Sequence, residues 1–203
     1  MKTLFIPAKV KYQLNKQKLI LISKKLPKNL TIVYSIQYKD LTFEIKEILQ
    51  KDHKITKVLQ VLGCSKINYP KDTEAILLIT DGKFHAVSLA YETKLPVFIF
   101  ENNNLEKISE EDMKKFEARQ KSAYLNFLNE DKIGILVSTK PGQQNLKKAI
   151  EFKKKTKNKK LYLFLANNVN PDEFQNFGLK IWVNTACPRL DMEGLNIVNI
   201  SRL

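Results

Sequence analysis

Two thiols in this sequence stand where a strand gives way to a loop. Cys64 closes the run Val-Leu-Gln-Val-Leu-Gly-Cys at 58–64, and Cys187 closes Ile-Trp-Val-Asn-Thr-Ala-Cys at 181–187. The carboxyl end of a parallel strand is where open α/β sheets place their ligands. Thiolates there are donors for a soft metal or an iron–sulfur cluster. Gly63 permits a tight turn before the first thiol. Pro188 prevents the second strand from continuing as a central one, and Arg189 brings a cation that would support a thiolate. The plainer alternative is a small buried residue at a strand end, a common state for a free cysteine.

Other groups are weaker candidates. His85 lies four positions after Asp81 in Asp-Gly-Lys-Phe-His, where Gly82 opens a helix. It is either a structural hydrogen-bonding residue or one that orients a substrate. The loop Ser138-Thr139-Lys140-Pro141-Gly142-Gln143-Gln144 has a single glycine and lacks the GxxxxGK[ST] phosphate pattern. Its amides, followed by a helix N-terminus, could hold a carboxylate. Trp182 is expected in the core. No Ser/His/Asp set and no paired carboxylates stand at a catalytic spacing, which argues against a hydrolase.

These positions require an alternating scaffold. Thr3 to Ile6, Leu30 to Ser35, Ala75 to Thr80 and Val97 to Phe100 read as buried strands. Leu14 to Lys25, Leu41 to Lys51 and His85 to Tyr91 read as helices between them. Ser109 to Leu128 forms a long helix, with Ser109 as N-cap and Asp112 at the capping-box position. Strands at Lys132 to Val137, Leu161 to Leu165, Lys180 to Val183 and Asn196 to Ile200 follow. Helices at Gln143 to Lys155 and Pro171 to Phe177 lie between them. The expected class is α/β: two small parallel-sheet domains with flanking helices, joined by a long helix. The expected boundaries are 1–128, including the linker helix 109–128, and 129–203. Each half has one loop with a cysteine and one with glycine and polar groups ahead of a helix, which suggests a duplicated unit.

The bulk numbers fit a folded protein of 203 residues, 43% hydrophobic and 28% charged. No run of about 18 apolar residues appears, so no membrane span is expected. The amino-terminal apolar stretch meets Lys9 and Lys11 too soon for a secretory signal, and the expected location is cytoplasmic. Two distant cysteines do not suggest a disulfide framework. With no CxxC and only His53 and His85, a self-sufficient zinc site is not expected either. A net charge of +14 invites a nucleic-acid reading, yet only Arg119, Arg189 and Arg202 among 35 basic residues are arginine. The lysines, densest from Lys153 to Lys160, read as a solvated composition or as a basic surface.

Three motifs then occur in order: Gln60-Val61-Leu62-Gly63-Cys64, Asp81-Gly82-Lys83-Phe84-His85, and Thr185-Ala186-Cys187-Pro188-Arg189-Leu190 followed by Asp191 and Gly194. They resemble the second cysteine motif, the intervening motif and the third cysteine motif of the diphthamide synthase family, over nearly the whole chain. The resemblance implies a transferase of archaea and eukaryotes that starts diphthamide on a histidine of translation elongation factor 2. In that family three cysteines, one from each of three similar α/β domains, hold a 4Fe–4S cluster. The fourth iron takes S-adenosylmethionine, whose Cγ–S bond is cleaved to a 3-amino-3-carboxypropyl radical. Archaeal members are homodimers and eukaryotic ones heterodimers.

By position, Cys64 and Cys187 match the second and third metal ligands. Asp81, Gly82, His85, Thr139, Gly142, Gln143 and Arg189 are the expected cofactor contacts. The family's first domain and its cysteine are absent, so the third ligand is expected from a complementary chain or a homodimer arrangement. Lys140-Pro141-Gly142-Gln143-Gln144 departs from the family's Gly-Arg-Gln-Gly type loop, keeping the central glycine and glutamine. Alternative outcomes are a non-catalytic accessory subunit, or a basic module that binds elongation factor 2, RNA or the ribosome.

Overall fold

The computed structural model describes residues 4, 6, 8–61, 68–192 and 196–203. They fall into two compact units, Met1–Lys114 and Lys115–Leu203.

The first unit runs α1 (Lys16–Ser23), β1 (Asn29–Tyr34), a 3₁₀ turn (Ile36–Tyr38), α2 (Lys39–Leu49), β2 (Lys54–Gln60), β3 (Ala75–Ile79), α3 (Phe84–Thr93), β4 (Val97–Glu101) and β5 (Asn104–Lys107). Strand order is β2-β1-β3-β4-β5, parallel except for β5. The central strands β1 and β3 are buried nearly throughout because helices cover the sheet. On one face Leu30, Ile32, Leu77 and Ile79 pack against Leu41, Ile45 and Leu49 of α2.

The helix α4 (Glu110–Asn129) runs across the division between the units. Its start is a capping box. Ser109 Oγ accepts from the Asp112 amide at 3.0 Å, while Asp112 Oδ2 accepts from Ser109 Oγ at 2.7 Å and from its amide at 3.4 Å. Ala123 and Phe127 of α4 pack with Ile133, Ile135 and Val137 in the second unit's core.

That unit continues with β6 (Lys132–Ser138), α5 (Leu146–Lys155), β7 (Lys160–Ala166), a 3₁₀ helix (Pro171–Phe177), β8 (Trp182–Asn184), a 3₁₀ turn (Pro188–Met192) and β9 (Ile197–Asn199). The order is β7-β6-β8-β9, all parallel. Trp182 is 2% exposed and stacks on Phe174 with centroids 4.4 Å apart, as its apolar context requires.

Both units share the order second-first-third-fourth, so each has one switch point, between β1 and β3 and between β6 and β8. The repeat is therefore real at the level of topology. Its loops correspond differently from the sequence expectation. Cys187 follows the third strand of its unit, whereas Cys64 follows the second strand of its own in sequence.

Three further expectations are corrected. Of the strand expected over Thr3 to Ile6, the described Leu4 and Ile6 belong to no element and are 81% and 79% exposed. Strand β5 was not anticipated; Asn102 and Asn103, both at positive φ, form a two-residue hairpin loop that returns the chain along β4. Finally, α5 begins at Leu146 rather than Gln143, because the Gln143 amide closes a turn onto the Lys140 carbonyl and Gly142 sits at φ +80°.

Candidate metal and cofactor site

Cys187 is held by side chains beneath it. Strand β8 ends at Asn184, and the Thr185 amide donates once more to the Leu136 carbonyl of β6 at 3.1 Å. The Asn184 side chain then takes over as a turn scaffold. Its Oδ1 accepts from the Ala186 amide at 2.8 Å, and its Nδ2 donates to the Cys187 carbonyl at 2.8 Å and to Asn199 Oδ1 at 2.6 Å. Asn199, opposite Asn184 in the β8–β9 register, donates in turn to the Pro188 carbonyl at 3.2 Å and to Asp191 Oδ2 at 2.6 Å.

Asp191 also accepts from Gln120 of α4 at 3.1 Å and lies 3.7 Å from the Arg202 guanidinium. Asn184, Asn199, Asp191 and Gln120 are all buried. Each buried polar group here is matched to a partner, the condition under which such a network rigidifies a backbone. The loop it fixes carries a half-buried thiol, with Arg189 exposed two residues on.

The neighbouring strand supplies the second loop of this mouth. Ser138, at the end of β6, is buried and its Oγ accepts from the Lys140 amide at 3.1 Å. Asn145 bridges the two loops, donating to the Thr185 carbonyl at 2.8 Å. Thr139, Gly142 and Gln143 thus stand beside the Cys187 loop at the β6/β8 switch point. The Thr139 amide is already spent on the Ala166 carbonyl at 2.9 Å and that of Gln143 on Lys140. Of this loop's amides those two are therefore engaged, while the first turn of α5 carries no side-chain cap.

In the first unit the corresponding mouth lies between β1 and β3. Register places Ser35 beside Thr80, and their hydroxyls are 2.5 Å apart and buried. Asp81 comes next and accepts a hydrogen bond from the Tyr38 hydroxyl. Burial first, and this bond second, push the Tyr38 phenol well above its ordinary value of 10.0. Gly82 takes φ +73°, and His85 is the second residue of α3. In the second unit Ser138 is beside Ala186 by the same counting, and Cys187 comes next. Asp81 is therefore the topological counterpart of Cys187.

Asp81, Gly82 and His85 are grouped at one switch point, and Thr139, Gly142, Gln143, Cys187 and Arg189 at the other. Cys64 lies outside the described residues. Among the described residues no three His, Cys, Asp or Glu side chains cluster as a metal site. The sequence holds two cysteines in all, so a three-thiolate site needs another donor. Half-exposed Cys187 on a braced loop fits the role of one such ligand. The sequence reading missed Tyr38, Asn184, Asn199 and Gln120. The one signal within reach was an asparagine three residues before a Cys-Pro turn, the spacing of a side-chain-to-backbone scaffold.

A family model for diphthamide synthesis proteins matches residues 1–196. Two proteins named 2-(3-amino-3-carboxypropyl)histidine synthase are similar to the chain. The one from Methanocaldococcus jannaschii is 29% identical, over 95% of this chain and 56% of its own length. The one from Pyrococcus horikoshii is 28% identical, over 84% and 53%. The chain thus spans a little over half the length of these relatives. Crystal structures of Dph2 from Pyrococcus horikoshii share the fold. One has a TM-score of 0.76 at 24% identity, covering 90% of this chain and 58% of that one. Another, with a 4Fe-4S cluster, has a TM-score of 0.75 at 23% identity and the same coverage.

Proposed function

The chain belongs to the diphthamide synthesis protein family, and from that premise we propose that it is part of a 2-(3-amino-3-carboxypropyl)histidine synthase that needs a complementary chain to complete its iron–sulfur site. In this reading Cys64 and Cys187 are two of three cluster ligands, and the third comes from a polypeptide supplying the remaining unit. The target is a histidine of translation elongation factor 2. When bound, the cluster supplies the electron that cleaves S-adenosylmethionine.

The observation that carries the reading is the braced presentation of Cys187. A thiol with only a packing role needs no buried Asn-Asn-Asp scaffold under its carbonyl. The relatives' shared name and the cluster-bearing Pyrococcus structure support the same view. The chain's own residues have separable tasks. Asn184 and Asn199 hold the ligand loop. The Arg189 guanidinium suits the substrate's carboxylate, as a forked donor does. Asp81, held by Tyr38, with Gly82 and His85 beside it, offers a carboxylate at the first unit's own mouth, suited to a cationic group. Thr139, Gly142 and Gln143 form the wall next to Cys187.

Anaerobic iron and sulfide loading of Cys64→Ala and Cys187→Ala, each with a companion chain carrying the first cysteine motif, tests this. Iron bound per complex should fall sharply in both variants. Undiminished iron in either one would remove that cysteine from the ligand set.

A further inference from the structure

The second unit's net charge resides in one place. Residues 140–160 contain nine lysines and a single acid, Glu151, while the rest of that unit has seven basic and seven acidic residues. Some lysines elsewhere find acids, Lys9 with Asp40, Lys16 with Glu44, Lys121 with Glu117 and Lys180 with Glu130, while Lys11, Lys24, Lys28, Lys51 and Lys71 stand exposed and in no ion pair among the described residues, scattered along the first unit. Lys159 is also engaged, donating to the Leu128 and Glu130 carbonyls at the end of α4. Lys147, Lys148, Lys153, Lys154, Lys155, Lys157 and Lys160 are also exposed and in no ion pair among the described residues, but these seven crowd into fourteen consecutive positions.

Composition alone does not explain this. Thermostable, lysine-rich proteins intersperse lysine with glutamate in networks. Ten-residue α5 is about 15 Å long, so its lysines lie within roughly two Debye lengths of one another at physiological salt and repel. Lys153 to Lys155 suit the negative end of the helix dipole. Lys147 and Lys148 do not: they occupy the first turn, where cations are unfavourable, and no acid or side-chain cap offsets them.

We infer that the α5 surface, from Lys147 to Lys160, binds the phosphate backbone of RNA. RNA fits better than an acidic protein because the array offers charge without shape. It has no arginine fork for a carboxylate, and α5 exposes one large apolar side chain, Ile150, to anchor a protein interface. Point charges on flexible stems match a repeating anion and read no sequence. The surface is independent of the thiol chemistry, so its failure leaves that reading intact.

The test is fluorescence anisotropy with a labelled mixed-sequence single-stranded RNA, titrated at salt from about 50 to about 200 mM. A variant carrying K147Q, K148Q, K153Q, K154Q and K155Q is compared with one carrying K11Q, K24Q, K28Q, K51Q and K71Q, an equal charge change on exposed positions of the first unit. Glutamine keeps helix propensity, and circular dichroism verifies the fold. The α5 variant should bind at least about tenfold more weakly, with the salt slope shallower by about 0.7 per lysine engaged. The control should stay near wild type. Equal losses in both variants, or none in either, would overturn the proposal. So would tight binding of polyglutamate, but not RNA, at α5.

Discussion

Cys187 sits where it does because Asn184, Asn199 and Asp191 carry the chain through the turn that strand pairing leaves open. Removing Asp191 leaves the Gln120 and Asn199 amides and Arg202 without their acceptor in a buried setting. Asp191→Ala should therefore destabilise the fold by about 2–4 kcal/mol in urea unfolding. Asp191→Asn, which keeps an acceptor, should lose less. Alkylation kinetics in a Cys64→Ser background should show Cys187 reacting faster in Asn184→Ala, as the loop loosens.

Tyr38 gives a pH-dependent counterpart. Its phenol titrates higher when folded than the ordinary 10.0, so the folded state keeps the proton the unfolded chain releases, and stability falls as pH rises past about 10. Tyr38→Phe should make that alkaline decline shallower in thermal melts at graded pH. Cys187 and Arg189 were legible as a local motif. Asn184 and Asn199 were not, because they are fifteen residues apart and meet only through strand register.

At the scale of elements, local signals fixed what local chemistry controls. The Ser109–Asp112 box starts α4 as the sequence implies, and the continuous apolar runs of β1, β3 and β6 are the central strands. The hairpin into β5 depended on two asparagines accepting positive φ, a weaker sign than Asn-Gly. Gly134 shows the other limit. It lies opposite Trp182 in the β6–β8 register, and a Cβ there would fall inside the indole ring's van der Waals envelope. Nothing in Lys-Ile-Gly-Ile-Leu announces a tryptophan on the next strand. Gly134→Ala should cost about 1–3 kcal/mol of stability by overpacking, read from the urea midpoint, with the tryptophan emission shifted.

At the scale of the molecule, two copies of one strand order have diverged at their switch points, one ending in Ser35, Thr80 and Asp81, the other in Ser138, Ala186 and Cys187. The sequence pattern foretold the repeat but matched its loops wrongly, since loop equivalence follows strand order in space. No helix among the described residues is long and apolar enough to cross a membrane. The proposal that this chain works as one part of a composite enzyme rests on Cys187, half-buried on a braced loop at its switch point. The decisive assay follows cleavage of S-adenosylmethionine under anaerobic, reducing conditions. It uses the iron-loaded chain alone, a companion carrying the first cysteine motif alone, and the two mixed. Cleavage in the mixture, and its loss with Cys187→Ala, is the predicted result. An active mixture unaffected by Cys187→Ala, or an inert mixture that binds no iron, would contradict the claim.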